Sequence, residues 1–316
     1  RLRLQLGPRR SFDLPAQHLH AFYQEETLTH IEFSRSPVQL LGDTMLINVN
    51  ADSVHQQFSP LRGPDSGKGV VMGIIDSGIE LYHPDFQDSS GNTRIQFVWD
   101  QGVSYDPSRQ AEQYLYGVEW DSAAINAGLS THDDKANQFG HGSNVAGAAA
   151  SSGLAKGNLK GVAPEAAIVA VASDFSKPNW LQTVAEAVDY IYTKADTLGM
   201  PCVINASLGT YNGSHDGLDI AARMIDQMIR AKEGRAFVCA AGNAGTHKIH
   251  LRHEPNQDSL FTWFEYSSSQ HSGFGGYYFE VWADTNDFEN LQFAFGADEN
   301  ANGTYKFRGR TAFDSI

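Results

Sequence analysis

Four continuous apolar runs between residues 69 and 243 constrain the fold more than any other feature of this chain. They are GVVMGIID (69–76), AAIVAVAS (166–173), CVINASLG (202–209) and RAFVCAAGN (235–243), and turn-forming residues bound them. Continuous rather than alternating apolar residues are typical of parallel strands that are buried on both faces. The runs therefore predict a largely parallel sheet with both of its faces covered.

Two amphipathic segments lie between these runs and predict helices. Residues 179–199 start at a candidate N-cap, Asn179, end at Gly199, and carry apolar residues on one face: Leu181, Val184, Val188 and Ile191. Residues 216–234 end at Gly234 and have a second apolar face: Leu218, Ala221, Met224, Ile225 and Met228. Strands that alternate with helices predict βαβ units and a three-layer α/β fold.

The two ends of the chain differ in pattern from this central core, which we place at residues 45–247. At the start, RLRLQLG alternates like a strand and residues 14–33 are compatible with a helix, so residues 1–44 are interpreted as an N-terminal extension or pro-segment remnant. Short aromatic, alternating runs at 261–269, 275–284 and 291–298 predict antiparallel β-structure. Residues 248–316 are therefore interpreted as a β-rich, jelly-roll-like insertion that is incomplete.

Composition excludes some classes of partner. The net charge of −14 at pH 7 disfavours nucleic acid and anionic membranes, although the charge is also explained by solubility alone. No apolar run reaches the roughly 18 residues that a membrane span needs, so no membrane span is predicted. Cys202 and Cys239 sit inside apolar runs without metal-ligand spacing, which predicts two buried free thiols.

Three polar residues stand where the predicted elements begin or end. Asp76 ends the first run, His141 is bracketed by glycines at the start of a small-residue segment, and Asn243 ends the fourth run. Each has an ordinary structural explanation: a turn aspartate, a surface histidine and an asparagine in a left-handed turn. Ligands of parallel sheets bind at the carboxyl ends of the strands, so the three together favour a functional site at this edge, where the amide of Asn243 could donate to an oxyanion.

Five motifs in this order resemble the successive signatures of subtilisin-like serine proteases, the subtilase family. They are VVMGIIDSGIELYHPDF, GHGSNVAG, GVAPEAAIVAV, VINASLG and CAAGNAG, and the resemblance covers roughly residues 45–246. The resemblance implies a three-layer subtilisin-like core and a serine endopeptidase that acts on peptides or proteins. It also implies that the protein is secreted or extracellular and requires no organic cofactor.

The same resemblance implies a role for each candidate residue. His141 would be the general base, Asp76 would hold its tautomer, and Asn243 would stabilise the tetrahedral oxyanion. The remaining candidates would bind the substrate. An extended peptide would pair as an added strand with the backbone of Ser207, Leu208 and Gly209, and the pocket for the residue before the cut would be lined by Ala241 and Gly242.

The sequence departs from the family pattern near these motifs. Ser143 and Asn144 follow His141 where the family has Thr and His two and three positions on, and residues 173–179 lack the usual glycines of a second substrate-lining segment. Asp85 matches a residue that helps to bind calcium in the family, but its partner ligands are not evident in the sequence. Calcium is therefore possible but unassigned, and no metal ligand is named.

The nucleophile is the largest departure. The family carries its serine in a Gly-Thr-Ser motif, and these 316 residues contain no such motif. One hypothesis places the serine on a later C-terminal segment or a companion chain, with this chain inactive by itself. The alternative is a non-catalytic relative that binds peptides or regulates a partner.

Overall fold

The computed structural model of the chain describes residues 2–6, 9–12, 41–58, 60–61, 65–134, 138–157, 159–243, 245, 250–252, 261–263, 280–288, 291–301 and 303–314. The first elements are two antiparallel strands, β1 (Leu2–Leu6) and β2 (Arg9–Phe12). The strand expected from RLRLQLG is therefore confirmed, whereas the helix expected at residues 14–33 lies outside the described residues.

A six-stranded sheet forms the centre of the fold. Its strands are β3 (Val71–Asp76), β4 (Ile95–Asp100), β5 (Val118–Asp121), β6 (Ala167–Ala172), β7 (Cys202–Ala206) and β8 (Arg235–Cys239). They lie in the order β5-β4-β6-β3-β7-β8, and every neighbouring pair is parallel except β4 and β5. All four apolar runs are strands of this sheet, so the predicted parallel sheet is confirmed.

The sequence patterns did not predict β4 and β5. Their sequences, IQFVWD and VEWD, mix apolar residues with Gln, Asp and Glu and contain no continuous apolar run. β4 is parallel to β6, whereas β5 turns back against β4 at the end of the sheet. β4 nevertheless buries Ile95, Val98 and Trp99 completely, so packing that the sequence pattern does not record decides its burial.

The helices are α1 (Leu41–Asn48), α2 (Ala51–His55), α3 (Ser122–Asn126), α4 (His141–Ala150), α5 (Trp180–Leu198), α6 (Ile220–Arg230) and α7 (Thr285–Phe288). The predicted bounds of α5 are confirmed, because Gly199 ends the helix in a left-handed conformation with φ of 68°. In α6 the predicted buried face is partly wrong. Leu218 lies before the helix and is exposed, and Met224 is also exposed, while Ile225 and Met228 pack against the core.

Helices cover both faces of the sheet, which gives the predicted three layers. Ile74 of β3 belongs to a core cluster with Ala146 and Ala150 of α4. Its neighbour Ile75 points to the opposite face and packs in a cluster with Ile191 of α5. Because side chains alternate along β3, the side chain of its last residue, Asp76, points to the same face as Ile74.

The two cysteines have different environments. Cys202 begins β7 in the interior of the sheet and is buried, whereas Cys239 ends β8 and is exposed. The prediction of a buried Cys239 is therefore wrong. β8 is the last strand of the described sheet, and its final residues are not covered by another element among the described residues.

Beyond residue 290 the described chain forms an antiparallel hairpin of β9 (Gly296–Ala301) and β10 (Thr304–Arg310). β9 overlaps the run at residues 291–298 only at 296–298, and Phe293 forms an isolated antiparallel bridge with Asp314, while most of the other two aromatic runs lies outside the described residues. The division into extension, core and insertion stays a prediction. Among the described helices, none combines the length and the apolar character needed to cross a membrane.

Candidate active site

Asp76 is the last residue of β3 and points towards α4. Side chains alternate along a strand, so Asp76 shares a face with Ile74, which packs against α4. The residue is only 1% exposed. The end of the apolar run therefore places a buried carboxylate at the carboxyl edge of the sheet, beside the start of α4.

His141, the first residue of α4, meets this carboxylate. Its Nδ1 lies 2.7 Å from Oδ1 of Asp76, and the same oxygen accepts the backbone N–H of Ser77 at 2.7 Å. A carboxylate can only accept here, so Nδ1 carries the proton and Nε2 is the nitrogen with a free lone pair. The imidazole is 54% exposed, which leaves it accessible to a reacting group.

The glycine after His141 makes this approach possible. A Cβ added to Gly142 would lie 2.1 Å from the carbonyl oxygen of Gly78, in the loop that follows β3. Gly140, the residue before His141, is the N-cap and has φ of 74°, a conformation that favours glycine. The small residues of the GHGSNVAG motif thus let the start of the helix touch the backbone beside Asp76.

A second buried carboxylate, which the sequence patterns did not single out, lies next to this contact. Asp134 is 1% exposed, and its Oδ1 accepts the hydroxyl of Ser77 at 2.7 Å. Its Oδ2 accepts the backbone N–H and the hydroxyl of Ser143, at 2.8 and 2.5 Å. Ser143, one of the two departures from the family motif, thus has a defined partner.

His132 forms a further buried pair behind the same loop. Its Nδ1 lies 2.6 Å from Oδ2 of Asp100, and its Nε2 accepts the backbone N–H of Ile79 at 3.1 Å. The imidazole side chain is 1% exposed. Like Asp134, it lies outside the described α-helices and strands, where no periodicity marks a residue as buried.

Asn243 lies at the same edge of the sheet, two strands away from Asp76. It follows β8, is exposed, and donates its backbone N–H to the hydroxyl of Tyr211 at 2.7 Å. Gly242 has φ of 89°, and a Cβ there would lie 3.1 Å from the Tyr211 ring. The backbone of Asn243 is therefore held by Tyr211, while the side chains of Asp76 and His141 bond each other directly.

The predicted substrate-lining segment follows β7, the strand between β3 and β8 in the sheet. The hydroxyl of Ser207 accepts Nδ2 of Asn205 at 2.9 Å, and Leu208 packs partly buried against the core. Gly209 is exposed. The segment thus runs along the rim between the Asp76–His141 pair and Asn243.

Both the carboxylate and the backbone oxygen of Asp85 have protein partners. Its Oδ1 accepts the backbone N–H of Ala155 at 2.9 Å, and its backbone oxygen accepts Nη2 of Arg94 at 2.7 Å. Within the described residues, no group of three or more His, Cys, Asp or Glu side chains is arranged to hold a metal ion.

Comparison with known proteins gives a consistent result. Residues 67–264 match the profile of Peptidase_S8, described as the subtilase family. The chain is 29% identical over 201 residues to the subtilisin-like protease SBT2.1 of Arabidopsis thaliana, covering 57% of this chain and 23% of that protein. It is 31% identical over 105 residues to the minor extracellular protease Vpr of Bacillus subtilis strain 168, covering 33% of this chain and 10% of that protein.

A solved structure shares the fold. The CspB protease of Clostridium perfringens superposes with a TM-score of 0.50 and 26% sequence identity, covering 62% of this chain and 40% of that chain. The chain spans less than a quarter of the length of the two curated relatives named above.

Proposed function

Because the chain belongs to the subtilase family of serine proteases, we propose that it forms the N-terminal part of the catalytic core of a serine endopeptidase. The observation that carries the proposal is the 2.7 Å contact between Nδ1 of His141 and Oδ1 of Asp76. It combines a buried carboxylate with an imidazole whose second nitrogen is accessible, at the edge of a parallel sheet where ligands bind.

In this proposal His141 is the general base. Its Nε2 takes the proton of a serine hydroxyl while the serine oxygen attacks the carbonyl carbon of the scissile peptide bond. The protonated imidazole then gives the proton to the leaving amine as the C–N bond breaks, and water hydrolyses the acyl-enzyme by the same route in reverse. Asp76 keeps the proton on Nδ1 and stabilises the imidazolium.

Asn243 completes the electrostatic part of the proposal. A side-chain amide at a strand end can donate to the oxyanion of the tetrahedral intermediate, and in subtilisin the loss of such a donor lowers kcat by about 10²–10³-fold. The substrate would pair with the backbone of the strand-like segment formed by Ser207, Leu208 and Gly209. Ala241 and Gly242, which are exposed beside Asn243, would line the pocket for the residue before the cut.

We place the nucleophilic serine on a later segment of the polypeptide or on a companion chain, since no Gly-Thr-Ser motif occurs in these residues. In subtilisin, removal of the serine lowers kcat by about 10⁶-fold, so we propose that this chain alone is inactive. The chemistry needs no organic cofactor, and calcium is unassigned. An extracellular location is supported by the name of one relative, the minor extracellular protease Vpr.

A fluorophosphonate label on the full-length natural protein tests the proposal, because the reagent traps only an activated serine. We expect attachment to a serine outside residues 1–316 and its loss in His141→Ala. The matched control is His83→Ala, which removes an exposed imidazole elsewhere and should label normally. Labelling that survives His141→Ala would contradict the assignment. Peptide binding without any labelling would instead support a non-catalytic, regulatory relative, for which the missing Gly-Thr-Ser motif is the observation in favour.

A further inference from the structure

A buried carboxylate connects the two segments that carry the Asp76–His141 pair. Asp134 accepts hydrogen bonds on both of its oxygens, from Ser77 on one side and from Ser143 on the other. Ser77 directly follows Asp76, and Ser143 lies two residues after His141. Asp134 therefore has one partner beside each member of the pair.

The two serine hydroxyls also connect the loop after β3 with the start of α4, because each accepts a backbone N–H from the other segment. The hydroxyl of Ser77, in the loop after β3, accepts the backbone N–H of Gly142 in α4 at 2.9 Å. The hydroxyl of Ser143, in α4, accepts the backbone N–H of Glu80 in the loop at 2.7 Å. Each serine has a single proton, so a hydroxyl that accepts a backbone N–H and donates to Asp134 has a fixed orientation.

We propose that Asp134 is a positioning residue for the pair Asp76–His141, acting through these two serine hydroxyls. The inference rests on the proposed function for its effect on catalysis. A carboxylate only accepts, so it forces both hydroxyls to donate inwards and leaves their lone pairs for the backbone N–H groups. The start of α4 is thereby held against the loop after β3, at the distance that the imidazole–carboxylate hydrogen bond needs.

Asp134→Asn tests this directly in the full-length natural protein. The amide has the same shape, but its NH₂ would face either the hydroxyl of Ser77 or the N–H of Ser143. Both of these groups donate to Asp134 in the natural protein, so the NH₂ would meet a donor in either orientation. A shift of about 1 Å in a catalytic group can lower the rate by about 10²-fold. We expect kcat to fall about 10²-fold with KM within about twofold, since the predicted substrate-binding residues are not touched.

Two further variants at Ser143 separate positioning from general loss of structure. Ser143→Ala removes one hydroxyl and should lower kcat in the same way, whereas Ser143→Thr keeps the hydroxyl and should behave like the natural protein. The matched control for the charge change is Asp189→Asn, a carboxylate of α5 that accepts from Tyr114 at 2.7 Å on the other face of the sheet. It should leave kcat unchanged.

A readout that does not depend on turnover is the proton NMR signal of Nδ1–H of His141, which the short hydrogen bond to Asp76 moves to low field. We expect the signal in the natural protein and in Ser143→Thr, and its loss in Asp134→Asn and Ser143→Ala, with the melting curve still cooperative. An unchanged signal and unchanged kcat in both of these variants would overturn the proposal, as would a kcat loss equal to the loss of folded protein. If the natural protein proves to have no protease activity, the proposed function fails while the NMR comparison still decides the role of Asp134.

Discussion

The close approach of α4 to the sheet can be tested with one methyl group at Gly142. In Gly142→Ala the added Cβ would lie 2.1 Å from the carbonyl oxygen of Gly78 and 2.9 Å from its nitrogen. Both atoms belong to the backbone, so no side-chain rotation can relieve the contact. The helix start must move away from the loop by more than 1 Å to reach an ordinary contact of about 3.4 Å.

Two consequences follow from this displacement. Overpacking in a well-packed interior typically lowers the free energy of unfolding by about 1–3 kcal/mol, and we expect a value at or above the top of this range because only backbone can yield. The displacement also lengthens the hydrogen bond between His141 and Asp76, so we expect fluorophosphonate labelling to slow by about 10²-fold.

Gly147→Ala in the same helix is the matched control. A Cβ at Gly147 meets no atom within 4 Å, so this variant should gain about 0.5–1 kcal/mol from the higher helix propensity of alanine. Thermal unfolding measures both variants, and opposite shifts of the midpoint are expected. A Gly142→Ala protein that melts like the natural one and labels at the same rate would refute the argument that α4 is held in backbone contact.

Three other outcomes are expected. Asp76→Asn should slow labelling by about 10⁴-fold, as the corresponding substitution does in a Ser-His-Asp triad, because the amide can hold the imidazole in the tautomer with its proton on Nε2, which cannot act as the base; a reduction below tenfold would contradict the assigned role. Lys194→Met should lower the free energy of unfolding by about 3–5 kcal/mol in chemical denaturation, since it leaves two glutamates without their shared cation in a site where the lysine is 10% exposed. Its control, Arg230→Met, removes an exposed ion pair and should change stability by less than about 1 kcal/mol. Burial raises the pKa of Cys202 to about 12, so its contribution to stability should be complete below about pH 8.5 and decline as the pH rises towards 12. A thiol reagent at pH 8 should therefore modify Cys239 in the folded chain and Cys202 only after unfolding; equal rates in the folded chain would contradict this.

The sequence alone determined the central architecture, because a buried strand or helix requires apolar residues at defined positions within its own segment. Strands covered on both faces are continuously apolar, and all four such runs became strands of the sheet, of which β3, β6 and β7 lie in its interior and β8 at its edge. The bounds of α5 were also readable, since Gly199 ends the helix in a left-handed conformation that few other residues adopt. Asp76 and His141 were identified because each stands where a regular element ends or begins.

The same local patterns failed where a neighbour, rather than the segment itself, decides burial. Cys239 and Met224 have apolar surroundings in the sequence, but β8 is the last strand of the described sheet and α6 packs with only part of its apolar face. β4 and β5 lack continuous apolar runs and were recognised only by their hydrogen bonds to the rest of the sheet.

Only the tertiary structure revealed Asp134 and its two serine partners. Ser77 lies 57 residues before Asp134, and the carboxylate stands outside the described α-helices and strands. Its burial exists because α4 packs onto the sheet and closes the space beside the β3 loop. A hydrogen bond between residues so far apart in the chain depends on how helices and strands pack together. The sequence around either residue therefore does not predict it.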